Sequence, residues 1–273
     1  DGQGQVIRKF TSDADTAETS AAKRERMRVD SLAALGVMPA SVDGRGRGAG
    51  GASRVTNRVG ANSFTWNMRY PEPTTFEGLI MWAAGIAGPQ APSGSYTARL
   101  TVGDKSETRT FKLLIDPRSG ATQADLDEQF RFLIQIRDKT SEANNAVRTI
   151  RSLKAQMAAR VQAAPAARAA ALRRSVATLT EQLSAVEAEI YQVRNQSGQD
   201  PLNYPIKLNN QIAALAGVVA STEAKPTAQS YEVYRILAAA LDVELAKLTA
   251  LLGGGLDTVN AELVRLGLDP VAK

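Results

Sequence analysis

The chain has 273 residues, of which 44% are hydrophobic and 22% are charged, and its formal net charge is +5. This size and composition allow two ordinary domains with buried cores. Neither cysteine nor histidine is present, which excludes disulfides, thiolate nucleophiles, histidine general bases, Ser-His-Asp triads and cysteine- or histidine-ligated metal sites within this chain.

The first fifty residues predict a strand and a flexible insertion. Residues 6–10 (Val-Ile-Arg-Lys-Phe) follow a Gly-containing turn and read as a strand. We expect the chain to be cut from a longer one, because it enters this strand without an initiator Met or a signal peptide. Residues 43–52 hold five glycines, too many for a helix or strand interior, and predict a flexible Gly/Arg-rich insertion.

Alternating apolar residues predict a β-rich domain over residues 1–117. Phe64, Trp66 and Met68 alternate with polar neighbours, and so do the apolar residues of 96–102 and 111–115. Gly103-Asp104 lies between the last two runs and predicts a hairpin turn. We count about five strands, whereas an Ig-like β-sandwich has about seven. The expectation is therefore an Ig-like sandwich that is either small or incomplete, with its first strands upstream of residue 1, and the abrupt start favours the second.

Residues 118–273 predict an antiparallel α-helical bundle, so the fold class expected is α+β and multidomain. Thr122-x-x-Asp125 is a capping box that opens a helix running to about residue 163, before Pro165. The next helix carries an uninterrupted heptad seam typical of coiled coils. Together the two predict a long helical hairpin near 122–196. Further helices follow Pro205 and Pro226, and Gly253-Gly254-Gly255 predicts a break. The seam consists of Leu172, Val176, Leu179, Leu183, Val186, Ile190 and Val193.

Two sets of side chains are candidates for ligand contact. Trp82 and Tyr70 could form an aromatic surface for sugars, whereas Trp66 alternates in phase with its neighbours and reads as core. The arginines in and after the Gly-rich insertion could contact an anionic surface. Nucleic acid is a disfavoured ligand, since no aromatic side chains are interleaved with these arginines for base stacking. These arginines are Arg45, Arg47, Arg54 and Arg58.

The remaining charged residues read as structural. Asp104 and Glu107 lie at the predicted hairpin turn, where they should be solvated. Asp125 lies in a first helical turn, where acids favour the helix dipole. Arg148 and Arg151 read as solvated helix positions. We therefore expect no catalytic residue, cofactor or metal site in this chain.

Several stretches together carry a family resemblance. Residues 62–71 (Asn-Ser-Phe-Thr-Trp-Asn-Met-Arg-Tyr-Pro) are followed by the Pro-Ser-Gly-Ser-Tyr of 92–96, by Asp-Pro-Arg at 116–118 and by Gln-Ile-Arg-Asp-Lys at 135–139. The most specific stretch is 195–210, Asn-Gln-Ser-Gly-Gln-Asp-Pro-Leu-Asn-Tyr-Pro-Ile-Lys-Leu-Asn-Asn. The series resembles the C-terminal region of large bacterial BNR-repeat proteins, which are labelled sortilin-like or glycosyl-hydrolase-like.

The resemblance implies an exported protein, periplasmic, cell-surface or secreted, with a β-propeller before this region. The aspartate-box repeat of such propellers, Ser-x-Asp-x-Gly-x-x-Trp, does not occur here. The function expected is thus a non-catalytic structural or protein-interaction module, the C-terminal part of a propeller protein or a subunit of a larger complex. Its partner would be that propeller, as a domain or a chain, or other protein subunits. The alternative is an accessory carbohydrate-binding module of a glycoside hydrolase.

Overall fold

The computed structural model describes residues 1–12 and 55–272. This part of the chain is mixed, with one two-stranded antiparallel sheet followed by helices. The sheet consists of β1 (Gly94–Val102) and β2 (Lys105–Leu113). The helices are α1 (Gln123–Ala163), α2 (Ala170–Ile190), α3 (Leu208–Val219), α4 (Ala228–Ala250) and α5 (Leu256–Arg265), with a 3₁₀ turn at Asp200–Leu202 and a π-helical turn at Leu251–Gly255.

The predicted hairpin is confirmed. Gly103 and Asp104 form the turn, and Gly103 takes a φ of +58° that favours glycine. The register places Tyr96 opposite Phe111 and Val102 opposite Lys105. Because side chains alternate across the strands, the apolar residues of β1 share one face of the hairpin, and serines, threonines and basic residues occupy the other.

The other strand predictions tested by the structure are wrong. Neither residues 6–10 nor residues 64–68 belong to a strand. Met68 has a left-handed φ of +55°, and the bridge nearby joins Arg69 to Gln90. Their alternation has another cause, because Phe64 packs on Phe10 with 4.5 Å between ring centroids. Among the described residues the sheet therefore has two strands instead of the five predicted.

Helix α1 begins and ends where its sequence signals predict. The Thr122 side chain accepts from the Asp125 N–H, the Asp125 carboxylate accepts from the Thr122 N–H, and Ala164 caps the far end. The short connection to α2 reverses the chain, and Arg151 of α1 pairs with Glu187 near the far end of α2. The two long helices therefore pack antiparallel.

The heptad seam of α2 points into the protein. From Leu172 to Ile190 its members are buried or half-buried, while Val193 lies past the helix end and is 47% exposed. The seam faces a core shared with the other helices, since α1 packs on α2, α3 and α4. The largest fully buried side chains of that core are Phe132, Ile136, Ile150, Leu153, Met157, Leu172, Leu183, Ile190, Ile212, Leu241, Leu256 and Leu263.

The predicted break at the glycine triplet is also wrong. The chain stays helical through the π-helical turn Leu251–Gly255 and continues into α5. The last glycine lies close to α2, because a Cβ atom on Gly255 would come within 2.8 Å of Leu179 Cδ1. Gly255 therefore allows close packing of this turn against α2. Within the described residues, no helix combines the length and apolar character that crossing a membrane requires.

Residues 71–88 form a long loop that lies on the helices, called the 71–88 loop below. Its base is closed by two backbone hydrogen bonds, from the Tyr70 N–H to the Pro89 carbonyl at 2.9 Å and from the Ala91 N–H to the Met68 carbonyl at 2.7 Å. Phe76 and Leu79 pack against the shared core. The loop therefore joins the β-hairpin side of the molecule to the helices.

Candidate interaction surface

Tyr70 is partly buried against α1 at the base of the loop. Its ring lies 4.6 Å from the Phe130 ring, and its hydroxyl is 3.4 Å from Asp1 Oδ2. Burial is the largest cause that raises the pKa of the Tyr70 hydroxyl, with the nearby Tyr96 acting in the same direction. This tyrosine therefore acts first as a packing residue.

Trp82 lies on the returning arm of the 71–88 loop, where an asparagine holds its backbone. The Trp82 N–H donates to Asn210 Oδ1 at 2.7 Å, and Asn210 Nδ2 donates to the Trp82 carbonyl at 2.9 Å. The next residue, Ala83, has a left-handed φ of +50°, a strain of about 1–3 kcal/mol that the surroundings must hold. The indole is half-buried.

Tyr70 and Trp82 rest on different supports. Asn210 is adjacent to Asn209, which donates to Asn144 of α1 at 3.1 Å, whereas Tyr70 rests on Phe130. Fourteen helical residues separate Phe130 from Asn144, about 21 Å at 1.5 Å per residue. The two residues are therefore held by different elements, Tyr70 by the first half of α1 and Trp82 by the start of α3.

Trp66 packs on the hairpin and is half-buried. Its indole lies 5.7 Å from the Tyr96 ring and 6.3 Å from the Phe111 ring, and its Nε1–H donates to the Arg69 carbonyl at 3.2 Å. Tyr96 is buried and donates its hydroxyl to the Pro92 carbonyl. Trp66 therefore covers the base of the hairpin.

Of the arginines proposed for anionic contact, Arg45, Arg47 and Arg54 lie outside the described residues, as does the insertion at 43–52. Arg58 is exposed. Its backbone is fixed by Asn62, which accepts from the Arg58 N–H at 3.1 Å and donates to the Arg58 carbonyl at 2.8 Å. The Arg58 side chain therefore faces solvent from a turn.

The acidic residues that the sequence singles out lie at two separate places in the described part of the chain, the hairpin tip and the start of α1. Asp104 and Glu107 are exposed near the hairpin tip. Hydrogen bonds from Thr122 hold the pKa of the Asp125 carboxyl below its ordinary value, which is the signature of a helix cap. Among residues 1–12 and 55–272, no group of three or more acidic side chains is placed to hold a metal ion.

Buried asparagines attach the 71–88 loop to the helices. Asn144 Nδ2 donates to the Thr74 carbonyl at 2.7 Å, and the Thr74 N–H donates to Ser141 Oγ at 3.1 Å. Asn209 and Asn210 lie in the first turn of α3, where Asn210 holds the Trp82 backbone and Asn209 donates to Asn144. Sequence reasoning missed this role, although both close the 195–210 stretch that carries the family resemblance.

Arg151 is a second anchor of the loop, and its interpretation as a solvated helix position is wrong. Its Nε donates to Glu187 at 2.7 Å, and its guanidinium lies 4.8 Å from the Phe76 ring and 5.3 Å from the Tyr191 ring. The Tyr191 hydroxyl donates to the Gly78 carbonyl and accepts from the Ile80 N–H. Burial raises the pKa of this hydroxyl. The cluster fixes the tip of the loop.

The hairpin presents exposed apolar side chains beyond its base. Leu100 is 59% exposed and Val102 is 69% exposed, and both lie on the same face as Tyr96. Trp66 covers this face only near Tyr96 and Phe111. We call the exposed remainder of this face, Ala98, Leu100 and Val102 of β1 with the directly paired Arg109, Glu107 and Lys105 of β2, the hairpin face. The outer edges of both strands also carry no ladder partner in the described chain.

A cleft of about 710 Å³ lies between the hairpin base, the first half of α1 and α3. Two of its polar lining residues have partners within the chain: Gln129 donates to the carbonyls of Val219 and Thr222, and Arg137 pairs with Asp138. Apolar side chains dominate the rest of the wall, including Leu113, Ile115 and Phe130. The cleft therefore continues the apolar surface from the hairpin toward the helices.

The comparisons with protein-family models, with curated proteins and with solved structures gave no match for this chain. The geometry of the surface is therefore the basis for assigning a function.

Proposed function

We propose that this chain is a non-catalytic protein-interaction module that binds a β-rich partner through its hairpin face. The partner is the β-propeller of the same parent protein, present as a domain or a separate chain. The observation that carries this proposal is the exposure of Leu100 and Val102 on β1, on a face that also presents Glu107 and Lys105 of β2 to a partner. The propeller itself is proposed from the family resemblance.

The physics of small sheets supports a covering partner. A two-stranded hairpin is marginal in water unless further strands or a helix pack on it. In the part of the chain that the structure describes, the base of the hairpin is attached through Trp66 and through Gln123, whose Nε2–H donates to the Ser93 carbonyl at 2.9 Å. Full burial of an aliphatic side chain contributes about 1.5–3 kcal/mol. Covering Leu100 and Val102 would therefore stabilise the hairpin appreciably.

The hairpin face also supports the proposal that the β-rich part of the protein is an Ig-like sandwich. In a sandwich, each sheet turns its apolar face toward the other and its polar face toward solvent. Strand β1 has this division, with Thr97, Arg99 and Thr101 on the polar side, whereas β2 places Glu107 and Lys105 beside the apolar residues. We propose that the second sheet covers the hairpin face and that the helices form an antiparallel bundle beside the sandwich, as a fixed scaffold.

We also propose that the protein is exported, on the resemblance alone. Cell fractionation tests this location in a bacterium that carries the parent gene. Recovery in the periplasm, on the surface or in the medium is expected, and recovery only with cytoplasmic markers would overturn it.

Photo-cross-linking tests the partner. A photoreactive amino acid at position Leu100, in the parent protein in its native host, should cross-link to peptides that contain the Ser-x-Asp-x-Gly-x-x-Trp repeat. The matched control is the same group at Thr101, which is exposed on the opposite face. Equal yields from both positions, or cross-links only to chains without that repeat, would contradict the proposal.

Binding to a glycan array would favour the carbohydrate-binding alternative, provided that Trp82→Ala abolishes it. Trp82→Ala removes a half-buried ring while its backbone clamp by Asn210 can remain. Loss of sugar binding with an unchanged unfolding midpoint would place a sugar site at this residue and displace the interaction-module assignment.

A further inference from the structure

Helix α4 carries a second apolar surface, far from the hairpin in sequence and turned away from the core. Its inner face is marked by Leu241, Leu248 and the half-buried Leu237. On the opposite face Ile236 is 53% exposed and Val243 is 56% exposed, with the exposed Ala239 and Ala240 between them. Positions 236, 239, 240 and 243 adjoin on one side of a helix, because residues three and four apart are neighbours.

We propose that two copies of this chain associate through this outer face of α4, antiparallel and about a two-fold axis between Ala239 and Ala240. We call residues Glu232, Ile236, Ala239, Ala240, Val243, Ala246 and Lys247 the α4 outer face. In this arrangement Ile236 of one copy packs on Val243 of the other, twice by symmetry. Small residues at the crossing point allow the two backbones to approach closely.

The charges at the two ends of the face are self-complementary in this register. A residue n positions before the axis meets the residue n positions after it in the second copy, as an isologous interface requires. Glu232 therefore faces Lys247 of the second copy, and Lys247 faces Glu232 of the second copy. Both side chains are more than half exposed and are held only by neighbours on α4, Arg235 and Glu244.

A parallel arrangement of the same faces is disfavoured by charge. It would bring Lys247 beside Lys247 and Glu232 beside Glu232, and like charges in register oppose association. The antiparallel register instead places opposite charges at both ends. Exposed ion pairs contribute little to affinity, so the charges select the orientation while the apolar residues drive association.

A charge-reversal series tests the pairing in the full chain. Sedimentation velocity from about 1 to 500 μM protein should show a monomer–dimer equilibrium. Glu232→Lys and Lys247→Glu should each weaken the dimer by about tenfold or more, because each creates like-charge contacts at both ends. The double variant restores opposite charges and should recover most of the affinity. A monomer at every concentration would overturn the proposal.

Cysteine cross-linking tests the register, since the native chain has no cysteine. Ile236→Cys and Val243→Cys proteins, mixed under mild oxidation, should form a disulfide-linked heterodimer. A parallel dimer would instead cross-link each variant with itself. Gln182→Cys, exposed on α2, is the control and should stay uncross-linked. Equal cross-linking of the control, or homodimers of Ile236→Cys in preference to heterodimers, would contradict the antiparallel arrangement.

Discussion

At the scale of single residues, asparagine side chains form hydrogen bonds to loop backbone groups that apolar side chains cannot form. The 71–88 loop has few regular backbone partners, so its N–H and C=O groups need side-chain partners wherever they are removed from water. Asn210 satisfies both backbone groups of Trp82, and Asn144 satisfies the Thr74 carbonyl. An amide side chain suits this role because it carries a donor and an acceptor together.

Replacement of Asn210 by alanine should therefore weaken the attachment of the loop. Two hydrogen bonds to the Trp82 backbone disappear, and we expect the free energy of unfolding to fall by about 2 kcal/mol. Denaturant unfolding measures this loss, and amide exchange at Trp82 should accelerate. Asn145→Ala is the matched control, because Asn145 lies on the exposed side of α1. Equal losses in the two variants would show that the clamp contributes nothing specific.

These residue roles could be predicted from the sequence only in part. Asn209 and Asn210 lie in the stretch that carries the family resemblance, yet their task depends on a loop about 130 positions earlier. Arg151 was misread because its helix position resembles that of Arg148, while its partners Phe76 and Tyr191 come from distant segments. Periodicity reports which face of an element is apolar, but it does not report which distant segment covers a polar side chain.

At the scale of elements, the 71–88 loop depends on a close approach at its base. A Cβ atom on Gly88 would lie 1.9 Å from the Tyr70 carbonyl oxygen and 2.6 Å from that of Pro71. These are backbone atoms, which cannot rotate away as a side chain can. The pairing of residues 68–70 with 89–91 therefore requires glycine at this position.

Gly88→Ala should open the base of the loop and lower the free energy of unfolding by about 3 kcal/mol, at the upper end of overpacking costs. Thermal or denaturant unfolding measures the change. Gly85→Ala provides the control, since nothing lies within 4 Å of a Cβ built at Gly85. If both alanines are tolerated alike, the close approach at Gly88 does not constrain the fold.

Elements with local signals were predictable, and those that need distant partners were not. Three signals lie within short stretches of sequence, and the structure confirms them: the cap at Thr122, the turn at Gly103-Asp104 and the seam from Leu172 to Ile190. Residues 64–68 alternate like a strand, but a strand also needs a ladder partner, and ring contacts produce the same alternation. The role of the glycine triplet could not be predicted from its local sequence either, because Gly255 lies against Leu179 of another helix.

At the scale of the whole molecule, the Arg151–Glu187 pair joins three parts. Glu187 of α2 is buried and accepts from Arg151 and from Lys154 of α1, while Arg151 also donates to the Glu77 carbonyl in the loop. Removal of one partner from a buried ion pair leaves a charge without full compensation. The pair is therefore a point where the two long helices and the loop are coupled.

A double-mutant cycle measures this coupling. Arg151→Met should reduce the free energy of unfolding by about 3 kcal/mol, because Lys154 alone remains beside the Glu187 carboxylate. Arg151→Met combined with Glu187→Leu should cost less than the sum of the single changes, since no buried charge is then left unpaired. Arg148→Met, at an exposed position of α1, should stay within about 0.5 kcal/mol of the parent. Strict additivity would refute the coupling.

The length of α1 has a consequence for whatever the molecule binds. Its 41 residues extend for about 62 Å at 1.5 Å per residue, and α2 braces it along much of that span. The hairpin is anchored beside the first turn through Gln123, whereas the connection to α2 lies at the opposite end. Helix α1 therefore sets a fixed distance between a partner bound to the hairpin and a partner bound at the last turn of α1.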